Sequence, residues 1–83
     1  MNKILVNLNV PTIERKYNLW IPDNSKIQDI VELMVKGINE LNDGQYEPKT
    51  MPLLYDKKTG KVYDLNLTVE SANIKNGTEI ILI

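Results

Sequence analysis

The sequence predicts an α+β domain of two layers: a mixed sheet of four to five strands with one helix packed across one face. Three observations predict it. An alternating hairpin opens the chain, one amphipathic helix follows, and two further apolar runs come after it, in the order β-β-α-β-β. A helix between the second and third strands must cross one face of the sheet. One apolar helix stripe against one apolar sheet face gives two layers.

The hairpin is the clearest element. Ile4, Val6, Leu8 and Val10 alternate with Lys3, Leu5, Asn7 and Asn9, the period-two pattern of a half-buried strand. Tyr17, Leu19 and Ile21 repeat it after the polar break from Pro11 to Arg15. A register centred on Thr12 and Ile13 pairs Ile4 with Ile21, Val6 with Leu19 and Leu8 with Tyr17 on the inner face. The outer face then carries Leu5 with Trp20 and Asn7 with Asn18. A one-residue slip would flip every side chain, so the uniformly apolar inner set supports this register.

Pro22-Asp23-Asn24 breaks the second strand, and Ser25-Lys26-Ile27-Gln28 has the spacing of a capping box with Ser25 as the cap. Ile27, Ile30, Val31, Met34, Ile38 and Leu41 then form one helical stripe, with Lys26, Asp29, Glu32, Lys36 and Glu40 mostly opposite. Gly37 costs about 1 kcal/mol relative to alanine inside that helix. Asn42-Asp43-Gly44 stops it.

The second half is less regular. Gln45 to Thr50 reads as a polar connection. Met51–Tyr55 and Lys61–Tyr63 flank a turn-rich hairpin tip at Asp56-Lys57-Lys58-Thr59-Gly60. Leu65, Leu67, Val69 and Ile74 are isolated apolar anchors in a loop. Asn76-Gly77 turns into the last strand, with Gly77 free to take a positive φ. The run Ile80-Ile81-Leu82-Ile83 suits a central strand that is apolar on both faces.

With the last strand central and parallel to the first, this is the β-grasp arrangement. The stretch from Val69 to Ile80, Val-Glu-Ser-Ala-Asn-Ile-Lys-Asn-Gly-Thr-Glu-Ile, resembles the segment leading into the last strand of ubiquitin-like proteins. The order of elements matches over the whole chain. The length, the lack of a Gly-Gly tail and the ending Ala-Asn-Ile-Lys-Asn-Gly-Thr-Glu-Ile-Ile-Leu-Ile are most similar to the bacterial YukD/EsaB family. That resemblance implies a small cytoplasmic protein of a Gram-positive bacterium, associated with type VII secretion.

Composition narrows the functions further. The 83 residues are read as one domain, residues 1–83, with no repeat or linker. Ten basic against eleven acidic side chains argue against nucleic-acid binding. There is no cysteine and no histidine, which removes thiol chemistry, the usual zinc sites and the commonest general base. No cofactor is expected. No segment reads as a signal peptide or a membrane span. Two sequons, at Asn66 and Asn76, read as chance matches in a cytoplasmic protein. Ser25 and Ser71 are the only serines, and the carboxylates are scattered at no metal-loop spacing. An enzyme is not expected.

Conjugation and sulfur carriage need a flexible tail ending in two glycines. The sequence given ends instead on Ile83 in an expected strand, so neither activity is expected; activation after trimming is the exception to test. The expected function is therefore protein binding. By pattern, Ile80 and Leu82 face the helix, while Ile81, Ile83 and Leu54 face outwards as one apolar patch, with Leu5 and Trp20 as a second one nearby. Such patches mark interfaces, and tryptophan is enriched at hot spots. The expected partner is a cytosolic domain of a secretion-system membrane protein. A homodimer through the same patch and a regulatory subunit of a soluble multisubunit enzyme complex are the alternatives. Lys57, Lys58 and Lys61 read as a solvated turn.

Overall fold

The computed structural model describes residues 2–83. Strands β1 (Lys3–Val10) and β2 (Arg15–Pro22) form the antiparallel hairpin, joined by a short 3₁₀ turn at Pro11–Ile13. Helix α1 spans Ile27–Leu41; strands β3 (Leu54–Asp56) and β4 (Glu79–Leu82) complete the sheet. The sheet order is β2-β1-β4-β3, with β4 parallel to β1 and antiparallel to β3. This is the ubiquitin-like β-grasp fold, with a mixed four-stranded sheet.

The hairpin register is the expected one: Ile4 opposes Ile21, Val6 opposes Leu19 and Leu5 opposes Trp20. Its turn closes with Glu14 at φ 53°, whose N–H donates to the Pro11 carbonyl at 3.1 Å. The 3₁₀ turn and this one left-handed residue together reverse the chain between Val10 and Arg15. The core is a single cluster in which Val6, Leu8 and Val10 of β1 and Ile80 and Leu82 of β4 meet Ile27, Ile30, Val31, Met34 and Ile38 of α1. Leu41, expected on that stripe, is 67% exposed and lines the groove between α1 and β2 in place of the core.

The start of α1 corrects the capping expectation. The cap position is Lys26, and no side chain caps it. The first helical N–H groups still need acceptors. They find backbone instead, since Ile27 N–H donates to Leu67 O at 2.8 Å and Gln28 N–H to Leu65 O at 3.1 Å. Ser25 contributes its carbonyl, accepting from Val69 N–H at 2.9 Å. The loop from Leu65 to Glu70 is thus strapped along the helix entrance, with Val69 fully buried. At the other end, Asn42 donates its side-chain amide to Ile38 O and to the Tyr17 hydroxyl, which ties α1 to β2.

The supposedly polar connection after the helix is anchored. Tyr46 is buried, and its carbonyl accepts from the Asn39 side chain. Pro52 is buried too. The strand expected at Met51–Tyr55 is only three residues long, and Lys61–Tyr63 joins it through a single bridge from Val62 to Tyr55 rather than as a fifth strand. The tip between them is built on Asp56, whose carboxylate accepts from Lys58 N–H and the Thr59 hydroxyl. Gly60 (φ 73°) closes that turn. Gly77 (φ 83°) donates its N–H to Leu5 O at 2.8 Å, while the Asn76 side chain accepts from Leu5 N–H, so this turn begins the β1–β4 ladder.

Candidate protein-binding surface

Side chains alternate between faces along a strand, so the three registers fix which residues share the outer face, away from α1. Asn7 opposes Glu79 and Asn9 opposes Ile81 across β1 and β4. Tyr55 opposes Ile81 across β3 and β4. Leu53 and Ile83 exchange backbone hydrogen bonds of 2.9 and 3.0 Å, which extends the same ladder by one pair. Leu53, Tyr55, Ile81 and Ile83 therefore form one contiguous apolar-aromatic group on the outer face. Ile80 and Leu82, of opposite parity, are fully buried.

Leu54 is corrected by this geometry. It is 0% exposed and packs in the core, whereas Leu53 is 40% exposed. The two residues are consecutive, so only one can face out, and pairing Leu54 with the inward Leu82 puts it inside. Sequence pattern could not choose between two leucines without the β3–β4 register. The outward face of Tyr55 likewise follows only from that register. Ile83, 53% exposed, and the half-buried Ile81 lie on the expected face.

Leu5 and Trp20 are paired as expected, Trp20 at 64% exposure and Leu5 half-buried. They do not join the β3–β4 group. Between the two lies a polar row of Asn18, Asn7, Glu79 and Lys57, in which the Lys57 ammonium and the Glu79 carboxylate sit 3.0 Å apart. The outer face thus carries two apolar areas divided by a hydrophilic strip. The β3–β4 group continues round the rim into an open groove of about 530 Å³, lined by Thr12, Ile13, Met51, Pro52, Leu53 and Ile83. Trp20 continues round the other edge into a smaller groove of about 200 Å³ between β2 and α1, lined by Leu19, Leu33, Gly37 and Leu41 among others.

Burial raises the Tyr63 hydroxyl above its ordinary value, helped by the nearby Asp56 carboxylate, and burial alone raises Tyr46. Both favour a neutral phenol. Among the described residues, no group of three or more acidic side chains lies close enough to hold a metal ion. No helix among them is long and apolar enough to cross a membrane.

The sequence matches no protein-family model and no curated protein. Solved structures do resemble it. The ubiquitin-like domain of the type VII secretion protein EccD1 from Mycobacterium tuberculosis superposes with a TM-score of 0.78 at 13% identity, covering 100% of this chain and 99% of that one. The EccD5 ubiquitin-like domain from Mycobacterium xenopi gives 0.79 at 15% identity, covering 100% and 94%. A chain of the toluene 4-monooxygenase HD complex with the inhibitor 4-bromobenzoate gives 0.77 at 8% identity, covering 98% and 96%. At such identities the likeness establishes the fold alone: the described residues adopt the ubiquitin-like β-grasp fold.

Proposed function

We propose that this chain is a non-conjugated ubiquitin-like adaptor that acts by protein–protein contact, as a cytoplasmic component or regulator of a type VII secretion system in a Gram-positive bacterium. The observation that carries the binding role is the contiguous outer group of Leu53, Tyr55, Ile81 and Ile83. A sheet that presents several apolar side chains to solvent marks an interface. The strands beneath are paired with one another, so the group is held rigidly and docking would order little backbone. The likeness to the EccD1 and EccD5 domains supports the secretion setting, as does the resemblance of residues 72–83 to the YukD/EsaB family. In this reading the outer face docks on a cytosolic domain of a membrane component.

Affinity capture of the tagged protein from detergent-solubilised native cells tests the reading. Recovery of a secretion-system membrane protein, lost with Ile81→Lys in a variant that still folds, is the expected result. Unfolding of Ile81→Lys would place Ile81 in the core and remove the patch. A second reading is favoured by the toluene 4-monooxygenase likeness: a regulatory subunit of a soluble multisubunit enzyme. Capture of soluble enzyme subunits in place of a membrane protein would select it. A covalent ladder of targets would overturn both.

A further inference from the structure

The two edges of the sheet are unequal. The outer edge of β3 is covered, because Tyr63 N–H donates to Leu54 O and Asp56 N–H to Lys61 O, each at 2.9 Å. The outer edge of β2 has no such cover among the described residues. The Asp23 N–H bond to Asn2 O, and the bonds that link Leu5 and Asn7 to the 76–78 segment, fix which residues face which neighbour. Odd residues of β2 bond to β1. The N–H and C=O groups of Lys16, Asn18 and Trp20 therefore point away from the sheet. Such an edge is a template for another strand.

We propose that a second copy of this chain occupies it, with β2 pairing antiparallel to its twin about a two-fold axis at Asn18. Three features select this register for the self-paired edge. The axis at Asn18 sets Asn18 against its twin and Lys16 against the partner's Trp20, so each outward-facing residue meets an outward-facing residue and each pair can exchange two hydrogen bonds. Shifting the register towards the turn puts Glu14, which is in the left-handed region and outside the strand, into the ladder; shifting it the other way puts in Pro22, which has no N–H to give. A larger shift towards the turn would bring Lys16 against its own copy. In the chosen register no like charges meet, and the lysine stem lies over the partner's indole, a cation–π geometry on the outer face.

On the inner face Tyr17 meets the partner's Leu19, beside the groove floored by Gly37. The exposed Leu33 (61%) and Leu41 flank that groove on α1. The arrangement is isologous and closes on itself. It joins two four-stranded sheets into one and leaves the Ile81 face free on both copies, so it is independent of the proposed docking function.

Sedimentation of the full chain, across roughly 10 μM to 1 mM where small interfaces associate, is the test. The mass should rise from the 9.5 kDa monomer towards twice that value, with a blue shift of Trp20 fluorescence. Asn18→Pro removes an N–H that β1 does not use, so the fold should survive by circular dichroism while the dimer is lost. Trp20→Lys, which sets two lysines face to face, should also give a monomer, and Ile81→Lys should leave the dimer intact. A monomer at every concentration, or a dimer that survives Asn18→Pro and falls to Ile81→Lys, overturns the proposal.

Discussion

The two apolar areas of this small sheet sit on opposite sides of one polar strip, yet they offer a partner different things. Over β3 and β4 the backbone pairs with β1 on one side and bonds to the 61–63 segment on the other, so a partner meets mainly side chains. At β2 the side chains of Trp20 and, from α1, Leu33 and Leu41 accompany an outer edge that no strand among the described residues pairs with. The first surface suits a folded partner with a complementary pocket, the second an extended strand. The difference arises from sheet order: a central β4 has neighbours on both sides, and β2 has one.

The sharpest way to break the comparison is at Leu53 and Leu54, which assign the first surface. Leu54→Ala removes a fully buried side chain and should cost about 2–5 kcal/mol. In thermal unfolding that is a drop of roughly 10 °C or more for a domain of this size. Leu53→Ala should change stability by under about 1 kcal/mol. Equal losses would mean that both leucines are core and the patch is smaller than described.

On the β2 side, Gly37 lines the groove, and a Cβ added there meets nothing within 4 Å. Gly37→Ala should therefore stabilise the fold by about 0.5–1 kcal/mol in denaturant titration. Destabilisation would show that the groove is tighter than the geometry indicates. At the helix entrance, Ser25→Ala should cost less than about 0.5 kcal/mol, against about 1 kcal/mol for loss of a true cap.

The smallest effects belong to the polar strip and the loop beside β3. Lys57→Ala breaks an exposed ion pair and should change stability by less than about 0.5 kcal/mol, with the change fading in high salt. Tyr63 is held neutral in the fold, its hydroxyl raised above 10.0 by burial and Asp56. That contribution is whole below the unfolded-state value and is lost as pH rises through the folded one. Unfolding monitored above about pH 10 should show the wild type losing stability, and Tyr63→Phe should lose less of it.

The first half of the fold was legible in the sequence because its pattern is redundant. Alternation at Ile4–Val10 and again at Tyr17–Ile21 admits one register, and Ile4 with Ile21 or Leu5 with Trp20 follow from it. The helix stripe was legible from Ile27 to Ile38 and failed at Leu41, which opens onto the groove beside β2. Ser25 matched a capping motif whose role long-range backbone from Leu65 and Leu67 had taken over, and no local pattern reports that. Tyr46 is buried by the same kind of distant packing. The candidate surface was half legible. Ile81 and Ile83 follow from parity in β4, but the inward face of Leu54 does not, because a three-residue strand carries too little alternation to fix it.

The most direct test of the account crosses its two surfaces in one experiment. Wild type, Ile81→Lys and Asn18→Pro are each confirmed as folded, then compared by capture from solubilised cells and by sedimentation of the purified chain. The account predicts a double dissociation, in which Ile81→Lys loses the captured membrane partner and keeps the dimer, and Asn18→Pro loses the dimer and keeps the partner. If either folded variant abolishes both, or neither, the polar strip divides nothing and the two-surface account is wrong.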